Sequence, residues 1–111
     1  MHRTISVTSD RDFRRIYKRG RSYAGPFIVV YAERDRLRRS RLGITVTAKI
    51  GKAVVRNRIK RRIKEAYRTL EDYIVPGYSL VIVSRSRAKD AAYADIVSDL
   101  RYLLKKLELL V

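Results

Sequence analysis

The chain has 111 residues, enough for one domain with its own core and too few for two. Its 27 Lys and Arg against 11 Asp and Glu leave a net charge of +16, so the expected partner is nucleic acid or an anionic membrane surface, and 46% apolar residues exclude a disordered basic tail. There is no cysteine, no apolar run near the ~18 residues of a membrane span and no signal-peptide core after Met1, so a soluble cytoplasmic protein without disulfides is expected.

Residues 1–8 read as a loose arm that carries the only histidine, His2. Ser9 to Asp12 has the form of a capping box, and a helix is expected over 10–19 with Phe13, Ile16 and Tyr17 on one side and Gly20 as a left-handed terminator. Arg21 to Ala24 reads as a short edge strand, and Gly25-Pro26 breaks the chain before a β-branched and aromatic strand at 27–32. Arg34, Arg36, Arg38, Arg39 and Arg41 fill the next loop, and residues 42–47 alternate with period two, which predicts an antiparallel hairpin with a basic loop. In that pairing Leu42, Ile44 and Val46 face the core. Val29, Tyr31, Thr45 and Thr47 face the other way, where the first helix sets Phe13 and Tyr17 beside them, giving an aromatic-floored groove with basic walls.

From Ala53 to Leu70 the residues Val55, Ile59, Ile63, Ala66, Tyr67 and Leu70 recur at about 100° per residue and share one stripe of a helix. The rest of its surface carries Arg56, Asn57, Arg58, Lys60, Arg61, Arg62, Lys64 and Arg68, with Glu65 the only acid. Solvated helix faces intersperse acids with bases, whereas cations clustered on one helix are the footprint of a nucleic-acid binder. Glu65 is within reach of Arg61 and Arg68 only.

Pro76-Gly77 precedes an apolar run at 78–84, which suits a strand covered on both faces, parallel to the strand at 42–47 across the basic helix. A last amphipathic helix spans Tyr93 to Leu107. The expected order is α-β-β-β-α-β-α in an α+β domain.

Nucleophilic and zinc chemistry find no support in the sequence: there is no Cys, no HExxH and no Walker sequence. Asp95 and Asp99 are spaced to share a Mg²⁺ through water, or serve simply as favourable charge near a helix N-terminus. Tyr67 falls on the apolar stripe and reads as packing, while Tyr17 and Tyr31 lie among basic residues where unpaired bases can stack.

The run Ala53-Val-Val-Arg-Asn-Arg-Ile-Lys-Arg-Arg-Ile-Lys-Glu65 resembles the RNR signature of the bacterial ribonuclease P protein subunit. Asp12-Phe13, Tyr17-Lys18-Arg19-Gly20, Leu42 to Thr47 and Pro76-Gly77-Tyr78 are similar to the family in the same order, over roughly residues 9–108. The resemblance implies a two-layer α/β sandwich with a left-handed β-α-β crossover and an accessory role: an RNA subunit cleaves the 5′ leader of precursor tRNA with Mg²⁺ held mainly by the RNA. It implies further that Arg56, Asn57, Arg58, Lys60, Arg61, Arg62, Lys64 and Arg68 face the catalytic RNA. Phe13, Tyr17, Val29 and Tyr31, extended by Thr45, Thr47 and Lys49, line a leader groove. No residue is expected to be catalytic or to bind metal, and neither a membrane nor a small-molecule substrate is implied. In two places the chain departs from the family: Met1 to Thr8 is less basic than usual, and Lys52 stands where Asn is common.

Two other functions fit the composition. A structural RNA-binding protein, such as a ribosomal protein, shares the charge but not the combination of RNR helix and aromatic groove. A nuclease active by itself needs carboxylates or a histidine clustered in the cleft, and the sequence places none there.

Overall fold

In the computed structural model, residues 3–111 are described, so His2 lies outside the described residues. The chain runs β1 (Ile5–Ser6), α1 (Asp10–Arg19), β2 (Arg21–Ala24), β3 (Ile28–Arg34), β4 (Arg41–Thr45), α2 (Ala53–Leu70), β5 (Tyr78–Ser84) and α3 (Tyr93–Lys106), with 3-10 turns at Ala48–Ile50, Glu71–Tyr73 and Ser86–Asp90. The expected order is recovered with one strand added at its front.

The five strands form one sheet in the order β1-β4-β5-β3-β2. β5 lies at its centre, parallel to β4 and antiparallel to β3. Its neighbours Val81 and Ile82 point to opposite faces and are both fully buried, as a strand covered on both sides requires. The expected hairpin of β3 with β4 is therefore wrong. The two strands run antiparallel, but β5 is inserted between them, because it is the strand that must lose water on both faces.

On one face Ile28, Val30, Leu42, Leu80 and Ile82 pack against Ile59, Ile63 and Tyr67 of α2 and Ile96, Leu100 and Leu103 of α3. On the other face α1 packs alone, through Ile16 onto Val81 with Val7 beside them. α1 is too short to cover that face. Thr45, Val83 and Val29, which are paired across the sheet in one row, stay only half-buried.

The crossover from β4 through α2 to β5 is left-handed, as backbone chirality shows. Viewed with α2 and α3 in front and β4 running upward, an L-residue whose side chain faces the viewer directs its own N–H and C=O to the right. Leu42 faces that core, and its C=O accepts from the Val7 N–H just after β1, so β1 lies right of β4 and β5 lies left. A helix in front with a leftward step is a left-handed turn, against the usual preference.

Three local expectations are corrected. Residues 3–8 are not a loose arm: Ile5 donates to Ser40 C=O and Val7 to Leu42 C=O, both at 3.0 Å, while the Thr4 hydroxyl reaches Tyr67 Oη at 2.8 Å. A two-residue strand is too short to show a period, and its partners lie far along the chain. Gly20 ends α1 at φ −71°, in extended rather than left-handed backbone. Its glycine is required by space, since a Cβ there meets Ile16 O at 2.6 Å and Ala32 O at 3.0 Å. Ser9 does cap α1, accepting from Arg11 N–H at 3.1 Å, but Asp12 turns away to Arg15 at 2.8 Å and Arg41 at 2.9 Å, where it finds charge as well as donors.

Candidate nucleic-acid interface

α1 sets its aromatic side against the uncovered row of the sheet. Phe13 lies on Gly43, where a Cβ stands 2.6 Å from its ring, so only glycine lets the helix approach this closely. One turn on, the Tyr17 hydroxyl meets Thr45 Oγ1 at 2.7 Å, and its ring stands edge-on to Tyr31 with centroids 5.0 Å apart. Phe13 and Tyr17 are 6.3 Å apart. Phe13, Tyr17, Tyr31 and Thr45 are thus brought together as expected, with Tyr17 the most exposed of the aromatic rings, and Val29 lies on the same sheet face in the row of Val83 and Thr45. Thr47 and Lys49 stand apart from that cluster, exposed beside and on the 3-10 turn that follows β4.

Two hollows meet at Phe13. One, of about 340 Å³, is lined by Asp10, Phe13, Arg14, Tyr17 and Thr45. The other, of about 200 Å³, runs over the β4 edge between Ser6, Val7, Phe13, Gly43, Ile44 and Lys64. β1 spans only two residues, so the edge beyond it is open and Lys64 of α2 reaches the groove's side of the molecule. Sequence reasoning missed Arg14 as a groove wall, although it directly follows Phe13.

Along α2 the apolar stripe is buried as expected, and Tyr67 is core at 2% exposure. Asn57, Arg58, Lys60, Arg61, Lys64 and Arg68 are exposed. Glu65 pairs with Arg68 at 3.7 Å, both in solvent, a contact of little energetic weight. Among the described residues no acid pairs with Arg56, Arg58, Lys60, Arg61 or Lys64, and the Arg56 Nε is buried without a partner. Arg62 differs: it donates to Ala91 C=O at 2.9 Å and ties α2 to the segment before α3. Arg62 and Lys64 lie about 200° apart around the helix, so these cations wrap α2 rather than forming one flat face.

Four acids that do not line these hollows are structural. Asp35 is buried at 4% exposure and accepts from Leu37 N–H at 3.1 Å and Arg39 N–H at 2.9 Å. Burial pushes its carboxyl up, but the donors and charge of Arg39, with Arg41 adding to them, win and leave it at about 2. Asp12 is likewise held below the usual carboxylate value, first by the hydrogen bond from Arg41. Asp95 accepts from Ala92 N–H at 3.1 Å, and Asp99 accepts from Phe27 and Ile28 N–H at 3.0 Å each. Both carboxylates are engaged with backbone, and among the described residues no three His, Cys, Asp or Glu converge as a metal site. Nor is any described helix long and apolar enough to cross a membrane.

Known proteins agree with this arrangement. The Ribonuclease P family profile matches residues 1–108. The chain is 41% identical over 109 residues to the ribonuclease P protein component of Clostridioides difficile, covering 97% of this chain and 96% of that one. Among solved structures it is similar to the Staphylococcus aureus RNase P protein, with a TM-score of 0.86 and 34% identity over 96% of this chain and 97% of that one. The RNase P protein from Thermotoga maritima superposes with a TM-score of 0.82 and 31% identity over 91% and 96% of the two chains. Sequence, sheet order and the meeting of groove with basic helix thus converge, and the chain belongs to the ribonuclease P protein family, the protein component of an endoribonuclease that processes tRNA.

Proposed function

We propose that the exposed cations of α2 bind the catalytic RNA of ribonuclease P, and that the groove of Phe13, Tyr17, Val29, Tyr31 and Thr45 holds the single-stranded 5′ leader of precursor tRNA, with Thr47 and Lys49 extending it. The observation that carries this reading is the continuous surface from Tyr17 and Thr45 over Phe13 to Lys64, which lets a strand leave the groove beside RNA seated on α2. Tyr17 offers a ring face and a hydroxyl, Lys64 a phosphate contact. The protein supplies positioning and charge, and leader hydrolysis belongs to the RNA, with the Mg²⁺ that assists it held mainly there. The setting is the cytoplasm.

Reconstitution with a bacterial ribonuclease P RNA tests this. The protein is expected to lower the Mg²⁺ requirement for leader cleavage and to raise affinity for precursor over mature tRNA. Tyr17→Ala is expected to weaken precursor binding by about 1–3 kcal/mol, the worth of one stacked base, with mature tRNA unaffected. Equal losses for both would remove the groove from the leader path. No gain over RNA alone would leave a general RNA-binding protein instead.

A further inference from the structure

The face of the sheet that carries α1 is built as three rows across β4, β5 and β3. The first holds Arg41, Ser79 and Glu33, the second Gly43, Val81 and Tyr31, and the third Thr45, Val83 and Val29. α1 rests on the second, through Ile16 on Val81 and Phe13 on Gly43, and leaves the third half-buried as the floor of the aromatic groove. Burial alone gives no reason to stop there. Val29 and Val83 are apolar, and a helix moved by one row, about 7 Å along the strands, covers them. We propose that the charged first row is a clamp that fixes α1 off the third row, which makes Asp12, Arg15, Glu33 and Arg41 positioning residues for the strand that the groove takes. That this strand is the 5′ leader of precursor tRNA rests on the reading above, whereas the placement of the helix does not.

The clamp is a chain of alternating charge. Glu33 on β3 accepts from Arg15 Nε at 2.9 Å, Arg15 donates to Asp12 at 2.8 Å, and Asp12 accepts from Arg41 on β4 at 2.9 Å. Arg41 continues it to Ser79 Oγ at 3.1 Å and to Asp35 at 3.4 Å, at the root of the arginine loop between β3 and β4. α1 is thus tied to β4 through Asp12 and to β3 through Arg15, on opposite sides of the central β5. Two such ties stop the helix from sliding and from swivelling, which apolar contact, having no preferred direction, does not. The side chains of Arg41, Glu33 and Asp12 are only 6%, 18% and 24% exposed, so salt screens these pairs less than pairs in open solvent. Asp12 directly precedes Phe13, and Tyr17 follows one turn later. The tie at Asp12 therefore also sets the edge-on contact of Tyr17 with Tyr31 and its hydrogen bond to Thr45. A network that serves stability alone changes Tm when it is broken, whereas a clamp also takes the selectivity of the groove with it.

The test is a double-mutant cycle on the full chain assembled with a bacterial ribonuclease P RNA, read as the ratio of precursor to mature tRNA affinity, in which general changes of charge cancel. Asp12→Asn/Glu33→Gln keeps the size of both side chains and an acceptor oxygen on each, and is expected to lower that ratio at least about fivefold, the low end for one stacked base. In that background Tyr17→Ala is expected to lower it less than about twofold further, while in the parent it acts in full. The control Asp90→Asn/Glu108→Gln removes the same charge from two exposed acids and is expected to leave the ratio as it is. Should the clamp variant be unfolded at the assay temperature, Asp12→Ala, which leaves Arg41 with Asp35 and Arg15 with Glu33, carries the same expectation. In the free protein, NOEs between the rings of Tyr17 and Tyr31 are expected in the parent and the control, and are expected to be lost in the clamp variant. An unchanged ratio where the parent prefers precursor, an equal effect of Tyr17→Ala in both backgrounds, an equal loss in the control, or NOEs that survive in the clamp variant overturns the proposal. A parent without preference for precursor counts against the leader reading alone, since the NOEs still decide whether the charged row places the helix.

Discussion

Arg41 is 5% exposed and sits between Asp12 at 2.9 Å and Asp35 at 3.4 Å, so the basic loop is anchored by a buried charge network rather than by apolar packing. Such a network contributes only while its acids are ionised. Asp35 has a folded-state pKa of about 2 against 3.8 for the free group, so its contribution is complete above the free value and is lost as pH falls towards 2. The shift corresponds to about 2 kcal/mol. Asp99 has the opposite sign: burial raises its pKa, so its contribution is complete below 3.8 and declines as pH rises through the folded value. Urea unfolding at a series of pH values is therefore expected to show the parent losing about 2 kcal/mol more than Asp35→Asn between about pH 5 and pH 2. Parallel pH dependences for the two proteins would mean that Asp35 is not the acid-sensitive anchor.

Among the elements, β1 departs furthest from what the sequence suggests, and its docking can be measured. Thr4→Val removes the hydroxyl that meets Tyr67 Oη at 2.8 Å in a buried setting, and a loss of about 1–3 kcal/mol in urea unfolding is expected. A loose arm would give a change within about 0.5 kcal/mol. The contrast shows what was legible. α1 and α2 occupy the predicted spans because their apolar residues repeat with the helical period, and β5 announces its central place by being apolar at successive positions. The groove was legible too, since period two in β4 sets Thr45 opposite Leu42 and Ile44. β1 was not, because Ile5 and Ser6 carry no period and pair with Arg41 and Leu42 far along the chain. The hairpin was misread for a related reason: nearness in sequence suggested pairing for β3 and β4, and only the burial demand of β5 decides otherwise. The rigidity of the arginine loop was hidden because Asp35 looks like any acid among bases until Ser79, Arg39 and Arg41 surround it.

A net charge of +16 on a fold with a radius of gyration of 12.8 Å means that folding itself concentrates repulsion. α2, the rim of the aromatic groove and the arginine loop carry that charge on different sides of the sheet, so no internal rearrangement brings it to acids. The chain has 11 of these, and Asp12, Glu33, Asp35, Asp95 and Asp99 are already committed to hydrogen bonds or ion pairs inside the fold. Salt must therefore act in two opposite directions. Raising KCl from ~0.01 to ~0.15 M shortens the screening length from ~30 to ~8 Å, less than the fold's own dimensions, and relieves the compact state more than the expanded one. The Tm of the free protein is expected to rise by about 5 °C or more, as about 1 kcal/mol suffices in a domain of this size. Over the same range RNA affinity falls, because counterions released on binding are returned to a more concentrated solution. Thermal unfolding and RNA binding measured in the same buffers check both trends. A Tm that is flat or falling over that range would mean that the cations are already compensated within the fold, and would remove the electrostatic reason for assigning them to an RNA partner.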